Sequence, residues 1–179
     1  MTTKSKIFKI YGAYNWNNVD ENKKKSKNNL TVLALKEFIK QLEVRIKQSL
    51  KDSNIKLRYN RLRATAGSFL LDGIRDRIIN SNAIIFDITS LNPNVMFELG
   101  IAIEASRHIN GAKVYIICEG EKFNHEKIPS DLQGYFISFY ELKKDKIIFH
   151  DGNSLAMRLL SEIADLNNQA YNELEDYNI

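Results

Sequence analysis

Cysteine is nearly missing from this sequence. Cys118 stands alone among 179 residues, so an intrachain disulfide cannot form and a disulfide-stapled secreted scaffold is excluded. Histidine is scarce as well. His108, His125 and His150 are scattered, and no Cys or His recurs at metal-ligand spacing, so no metal site is expected. Two prolines and eight glycines are the only strong backbone punctuation. The chain has no Gly-rich P-loop, no G-x-G-x-x-G and no G-x-S-x-G elbow. No apolar run approaches the ~18 residues of a membrane span. The opening residues, Met1 to Ser5, lack the apolar core of a secretory signal. Taken together these absences predict a cytoplasmic location.

What is present suits an ordinary globular core, with 44% hydrophobic and 27% charged residues. The expectation is a single domain over 1–179. The net charge of +4 owes much to Lys23, Lys24, Lys25 and Lys27, all in one loop. Without aromatics interleaved along a face, such a run reads as a solvated loop and not as a nucleic-acid grip. Residues 15–29 are polar and aperiodic, which predicts a mobile connection, and 172–179 read as a polar tail. Trp16 is the loop's one large apolar residue. It either stacks on a ligand ring or folds back over the core edge.

Periodicity places the remaining elements. Lys6 to Tyr11 is a strand candidate, ended by Gly12-Ala13-Tyr14. Leu35, Phe38, Ile39, Leu42, Ile46 and Leu50 recur at helical spacing, predicting an amphipathic helix over 30–51. Ile55 to Tyr59 alternates as a short strand. Arg58 lies within it, and Arg61 and Arg63 follow in the connection after it. They are either ordinary surface arginines or the neutralising partners of a nucleotide phosphate. A helix to Asn80 leads to Ala83–Ile88, apolar on both faces as a central parallel strand requires. Further strands are expected at Lys113 to Cys118 and Tyr135 to Phe139, with a small edge strand at Ile147 to Phe149 and a closing helix. This alternation implies an α/β fold with a parallel sheet covered on both faces. The expected form is a flavodoxin-like three-layer sandwich, five-stranded, in the order 2-1-3-4-5. Its switch point falls between the first and third strands.

The stretch Ala83 to Gly100 is where this topology would place a site. An apolar strand ends abruptly in Asp87, a short polar turn follows, and Asn92-Pro93 opens a helix with cap and first-turn residues in order. A helical wheel puts Val95, Leu99 and Ala102 on the core face and Glu98 on its flank, bordering the crevice. Glu98 is either a surface glutamate or a carboxylate held there for chemistry; its apolar neighbours Met96, Phe97 and Leu99 favour a specific role. Asp87 either caps the following turn through backbone N–H groups or binds a sugar hydroxyl. Asn92 reads as the cap, and Asn94 as a cap or ligand contact. Cys118 ends an apolar strand and reads as a core filler more readily than a nucleophile. What survives elimination is metal-free carboxylate chemistry, suited to a reaction that develops positive charge on a sugar.

The run Asp87-Ile88-Thr89-Ser90-Leu91-Asn92-Pro93-Asn94-Val95-Met96-Phe97-Glu98-Leu99-Gly100-Ile101-Ala102 resembles the D-x-[ST]-x-x-[NS]-P-N-V-x-[YF]-E-L-G-x-A signature. That signature belongs to bacterial Toll/interleukin-1 receptor (TIR)-like nucleotide-binding domains. Asp72 to Ile79 and Ile128-Pro129-Ser130-Asp131-Leu132 also agree, although the family often has Phe where Ser130 stands. The resemblance spans roughly residues 67–140. It implies an enzyme that cleaves the nicotinamide–ribose bond of NAD, as glycohydrolase or ADP-ribosyl cyclase, often in phage defence. It implies Glu98 as the catalytic residue and Asp87, Asn92 and Asn94 at the ribose end. Tyr11, Gly12, Tyr14 and Trp16 would form the opposite wall, and Arg61 and Arg63 a phosphate site. NAD is then substrate and not cofactor, and a homo-oligomer or a separate effector protein is the implied partner. The related nucleoside 2-deoxyribosyltransferases share the fold and an equivalent glutamate. Their D-x-G-T-x-x-E-x-G pattern is departed from here, because Asn92 replaces the Asp, Asn94 the Gly and Val95 the Thr. A nucleotide-sensing or adaptor module without turnover is the non-enzymatic alternative.

Overall fold

The apolar and alternating runs assemble into one sheet in a computed structural model that describes residues 6–14, 27–49, 55–62, 70–107, 111–120, 129–132, 134–143, 146–150 and 154–175. Its strands are β1 (Lys6–Ala13), β2 (Ile55–Arg61), β3 (Ala83–Asp87), β4 (Lys113–Glu119), β5 (Ile137–Lys143) and β6 (Lys146–Phe149). They lie in the order β2-β1-β3-β4-β5-β6. The first five are mutually parallel and β6 runs antiparallel to β5.

Helices α1 (Lys27–Ser49), α2 (Leu70–Ile79), α3 (Pro93–Ser106) and α4 (Ser154–Glu175) cover the sheet in pairs. The assignment of faces follows from strand periodicity. All five residues of β3 are buried, and alternate ones enter different cores. Ala83 and Ile85 pack with Leu35, Ile39 and Leu42 of α1 and Leu155, Leu159 and Ile163 of α4. Ile84 and Phe86 pack with Ile74 and Ile78 of α2 and Val95, Leu99 and Ala102 of α3. A strand sandwiched in this way needs apolar residues at every position, which is the pattern that Ala83-Ile84-Ile85-Phe86 presents.

The structure corrects the expected architecture in three respects. Among the described residues the sheet has six strands and is mixed, with the expected edge strand at Ile147 to Phe149 joining it as β6, and it curls into a half-barrel instead of forming a clean five-stranded parallel sheet. β6 runs back beside β5, pairing Leu142 with Ile147 and Tyr140 with Phe149. Phe149 is thereby buried edge-on against Phe38 of α1, with ring centroids 5.4 Å apart, and against Tyr140 at 6.2 Å. Such edge-to-face pairs favour the closure. Second, β5 begins at Ile137, so Tyr135 and Phe136 precede it and are exposed. Third, α1 takes in residues 27–29 from the expected loop, and α4 takes in 172–175 from the expected tail. Neither segment holds a Pro or Gly to stop its helix. The rest of the loop, 15–26, lies outside the described residues.

β1 is flanked by β2 on one side and β3 on the other, both parallel to it. The chain therefore places successive strands on opposite sides of β1, which sets the topological switch point, where α/β sheets form a binding crevice, at the C-terminal ends of β1 and β3. Among the described residues no helix is long and apolar enough to cross a membrane.

Candidate functional site

Asp87 closes β3 at the crevice and is spent on holding the next turn. Its Oδ1 accepts hydrogen bonds from the Thr89 backbone N–H at 3.0 Å and the Thr89 hydroxyl at 2.5 Å, and its Oδ2 accepts from the Tyr140 hydroxyl at 2.9 Å. Thr89 in turn accepts from the Glu119 N–H at 2.9 Å. Burial pushes the Asp87 carboxyl above its ordinary value; the Thr89 and Tyr140 bonds oppose that shift and the buried Glu119 adds to it. Both carboxylate oxygens are thus engaged inside the protein. This favours the turn-anchoring alternative for Asp87.

The turn is tight. Leu91 N–H bonds to the Ile88 carbonyl at 2.9 Å, and Leu91 has a φ of 46°, a left-handed conformation uncommon for a branched residue. Its side chain packs against the α2–α3 core, which offsets the strain. Asn92 then caps α3, its Oδ1 accepting from the N–H groups of Asn94 at 3.0 Å and Val95 at 3.4 Å, with Pro93 in the first turn. With the helix start fixed and Val95, Leu99 and Ala102 turned into the core, Glu98 is set on the flank. Glu104, a turn and a half on, faces away and pairs with Arg107 at 3.0 Å.

Glu98 is half-buried, and its carboxylate has no hydrogen-bond or ion-pair partner among the described residues. Desolvation pushes its pKa up from 4.5 to about 7, and the charge of Arg61 pulls against that rise. Arg61 is therefore within electrostatic reach across the crevice. Its guanidinium lies over the Tyr14 ring, 5.3 Å from the centroid. Between them the ends of β1 and β2 are tied by the Leu62 N–H bonding to the Gly12 carbonyl at 2.9 Å. Tyr59, two residues before Arg61 on β2, reaches over Gly12. Burial, with the charges of Tyr14 and Asp87, drives the Tyr59 phenol well above its ordinary pKa, so it stays protonated.

The crevice thus brings together Glu98, Arg61, Tyr14, Gly12 and Asp87 from the residues singled out in the sequence. Tyr11 is drawn aside, partly buried against the α2–α3 core. Asn92 commits its side-chain oxygen to the cap, and the Asn94 side chain is exposed while its backbone takes that cap. Trp16 and Arg63 lie outside the described residues. Tyr59, Thr89, Tyr140 and Glu119 were not anticipated. Of these only Thr89 carried a sequence signal, as the polar residue two places after a strand-ending Asp. A groove of about 930 Å3 lies elsewhere, between α2 and α3, lined by Leu71, Ile79, Met96, Phe97 and Ile101. No three His, Cys, Asp or Glu side chains among the described residues are grouped to hold a metal ion.

No protein-family model, curated protein or solved structure matches this chain. The chemistry must be read from the crevice itself. Among the described residues it offers a carboxylate, Glu98, with no hydrogen-bond or ion-pair partner and a proton affinity poised near neutrality, faced by a guanidinium stacked on a phenol ring. Such a carboxylate can stabilise a developing cation, and such a guanidinium can hold an anionic group.

Proposed function

We propose that this protein cleaves the N-glycosidic bond between nicotinamide and ribose in NAD, with Glu98 as the catalytic carboxylate. The observation that carries the proposal is the state of Glu98 at the sheet's switch point: half-buried, without a hydrogen-bond or ion-pair partner among the described residues, and raised to about 7. The resemblance of Asp87 to Ala102 to the TIR-like signature supports the same reading. In the proposed reaction the C1′–N bond breaks with its electron pair moving onto the cationic nicotinamide ring, which leaves neutral. The Glu98 carboxylate faces the positive charge that develops at C1′. Aimed charges of this kind supply several kcal/mol of transition-state stabilisation in enzymes generally. Water then adds at C1′ and gives up a proton to the Glu98 carboxylate or to solvent, leaving ADP-ribose, or a ring nitrogen of the adenine moiety bonds to C1′ to give a cyclic product. Arg61, stacked on Tyr14, is proposed to receive the pyrophosphate.

We read the five parallel strands and their two helix pairs as a flavodoxin-like three-layer core, to which β6 is an addition. The proposed setting is the cytoplasm, in a defence response that spends NAD or makes a nucleotide signal. Self-assembly or a separate effector protein would control it.

The test is incubation with NAD and a panel of deoxynucleosides, analysed by mass spectrometry, for wild type and Glu98→Gln. Free nicotinamide from wild type and at least a hundredfold less from the variant is the expected result. Base exchange on deoxynucleosides with NAD intact would replace the reading with deoxyribosyl transfer. Ligand binding without any product, unaffected by Glu98→Gln, would replace it with a sensing module.

A further inference from the structure

Tyr59 has no role in the reaction just described, yet it holds the least explicable polar atom at the crevice. It sits opposite Ile10 in the β1–β2 register, and its ring packs on the α1–α4 core. Its hydroxyl lies over Gly12. A Cβ at Gly12 would overlap that oxygen and stand 2.9 Å from the ring carbon bearing it. Gly12 thus leaves a notch, and the phenol fills it.

The hydroxyl oxygen is shut off from solvent and has no hydrogen-bond partner among the described residues. Proteins avoid this, because a buried O–H without an acceptor loses its water bonds and gains nothing. Asp87, whose charge acts on the Tyr59 phenol, already has both oxygens engaged by Thr89 and Tyr140. A phenylalanine would fill the same notch without the polar burden. The hydroxyl is a cost to the unliganded fold that a ligand can remove.

We propose that Tyr59 is a binding residue of the crevice, donating its O–H to a hydroxyl or phosphoryl oxygen of a ribosyl nucleotide seated over Gly12. The inference rests on the nucleotide reading of the same site and extends it to a residue that neither the signature nor the strand pattern marks. Three observations fix the chemistry. Burial keeps the phenol protonated, so it donates and its partner must be an acceptor. Arg61 and Tyr14 stand at the same strand ends, so the ligand portion there is rich in oxygen and anionic in character. And β2 is the outermost strand on its side, so the Tyr59 ring can swing off the notch without disturbing a further strand.

The experiment is urea unfolding and ligand binding of wild type and Tyr59→Phe. The probes are NAD, ADP-ribose and a 2′-deoxynucleoside, with KM and kcat for any turned over. Without ligand the Phe variant is expected to be at least as stable as wild type. With ligand its binding should weaken about tenfold, with KM rising more than kcat falls. A Phe variant that is less stable in the absence of ligand overturns the proposal, because the hydroxyl would then have a structural partner. So does a Phe variant that binds every probe as wild type does. If NAD is turned over with an unchanged KM in the variant, the role of Tyr59 falls and NAD cleavage stands. If only the deoxynucleoside binds, and the variant binds it more weakly, NAD cleavage falls and the role of Tyr59 stands. Failure of every probe to bind wild type removes both.

Discussion

The Tyr140 hydroxyl donates to Asp87 Oδ2 at 2.9 Å across 53 residues of sequence. The bond joins the middle of β5 to the end of β3 and is made away from solvent, since Tyr140 is fully buried. Asp87 in turn holds Thr89, Thr89 receives the Glu119 N–H, and the turn so fixed delivers α3 with Glu98 on its flank. The carboxylate that anchors the turn thus positions the one proposed to do the chemistry.

Tyr140→Phe leaves the buried Asp87 carboxylate one donor short while keeping the ring. The expected cost is about 1–3 kcal/mol of stability, the penalty for a buried acceptor that loses a bond. Thr89→Val removes a hydroxyl that both gives and accepts, and should cost at least as much. Urea unfolding monitored by circular dichroism measures both. A Tyr140→Phe variant as stable as wild type would show that the bond contributes nothing.

Glu98 imposes a pH dependence whose sign can be worked out. Its folded pKa, about 7, lies above the ordinary 4.5. The folded state therefore binds the proton more tightly than the unfolded one, and stability falls as pH rises between those two values. Unfolding at about pH 5 and about pH 8 should show wild type losing stability relative to Glu98→Gln over that interval. Activity should move the other way, because only the ionised form stabilises a cation. NAD cleavage is expected to rise with pH through about 7, and a rate already at its plateau near the ordinary carboxylate value would contradict the assignment.

Much of this site is legible in the sequence. The continuous apolar run of β3, the Asn92-Pro93 opening of α3 and the wheel position of Glu98 are local features, set by residues within one turn or one strand. What could not be read was set across distance. Tyr140 meets Asp87 only because β5 lies beside β4 and β4 beside β3. Tyr59 covers Gly12 only through the β1–β2 register, which pairs Gly12 with Arg61 and Tyr11 with Asn60. The fifth strand starts at Ile137 and not at Tyr135 for another reason. Tyr135 and Phe136 have strand-like composition, but Phe136 is exposed and carries the Arg158 guanidinium at 4.2 Å from its centroid. Composition cannot distinguish an aromatic that packs in a sheet from one that packs under an arginine.

Gly12→Ala places a methyl group where the Tyr59 hydroxyl lies. The obstructing atom is the far end of a side chain, so the phenol can move and the expected loss is moderate, about 1–3 kcal/mol. Removing that oxygen should relieve part of it. In a double-mutant cycle, Gly12→Ala combined with Tyr59→Phe should be less destabilised than the sum of the two single changes. Strict additivity would mean that the two positions do not meet.

Cys118 is fully buried, and burial, together with the Asp87 and Glu119 charges, pushes its thiol up to about 12 against a Thr89 hydrogen bond. A thiol in that state is a poor nucleophile. Its reaction with an aromatic disulfide reagent should therefore be negligible in the native protein and appear with the urea unfolding transition. Rapid modification of the native protein would place Cys118 in an accessible, activated setting instead.

Asn92 separates two roles that one residue could hold. As a cap, its side-chain oxygen satisfies the N–H groups of Asn94 and Val95, and Asn92→Ala should cost about 1 kcal/mol. It should also lower turnover, since fraying of the first turn loosens Glu98 less than two turns away. Asn92→Ser keeps a capping oxygen but shortens the side chain and removes its amide N–H2 donor. If Asn92 serves only the helix, the Ser variant recovers both stability and turnover. If it also contacts the ribose, the Ser variant recovers stability while KM for NAD remains raised. Stability measured by urea unfolding, set beside KM and kcat for the same two variants, decides which holds. A variant pair that loses turnover without losing stability would remove the cap from the account altogether.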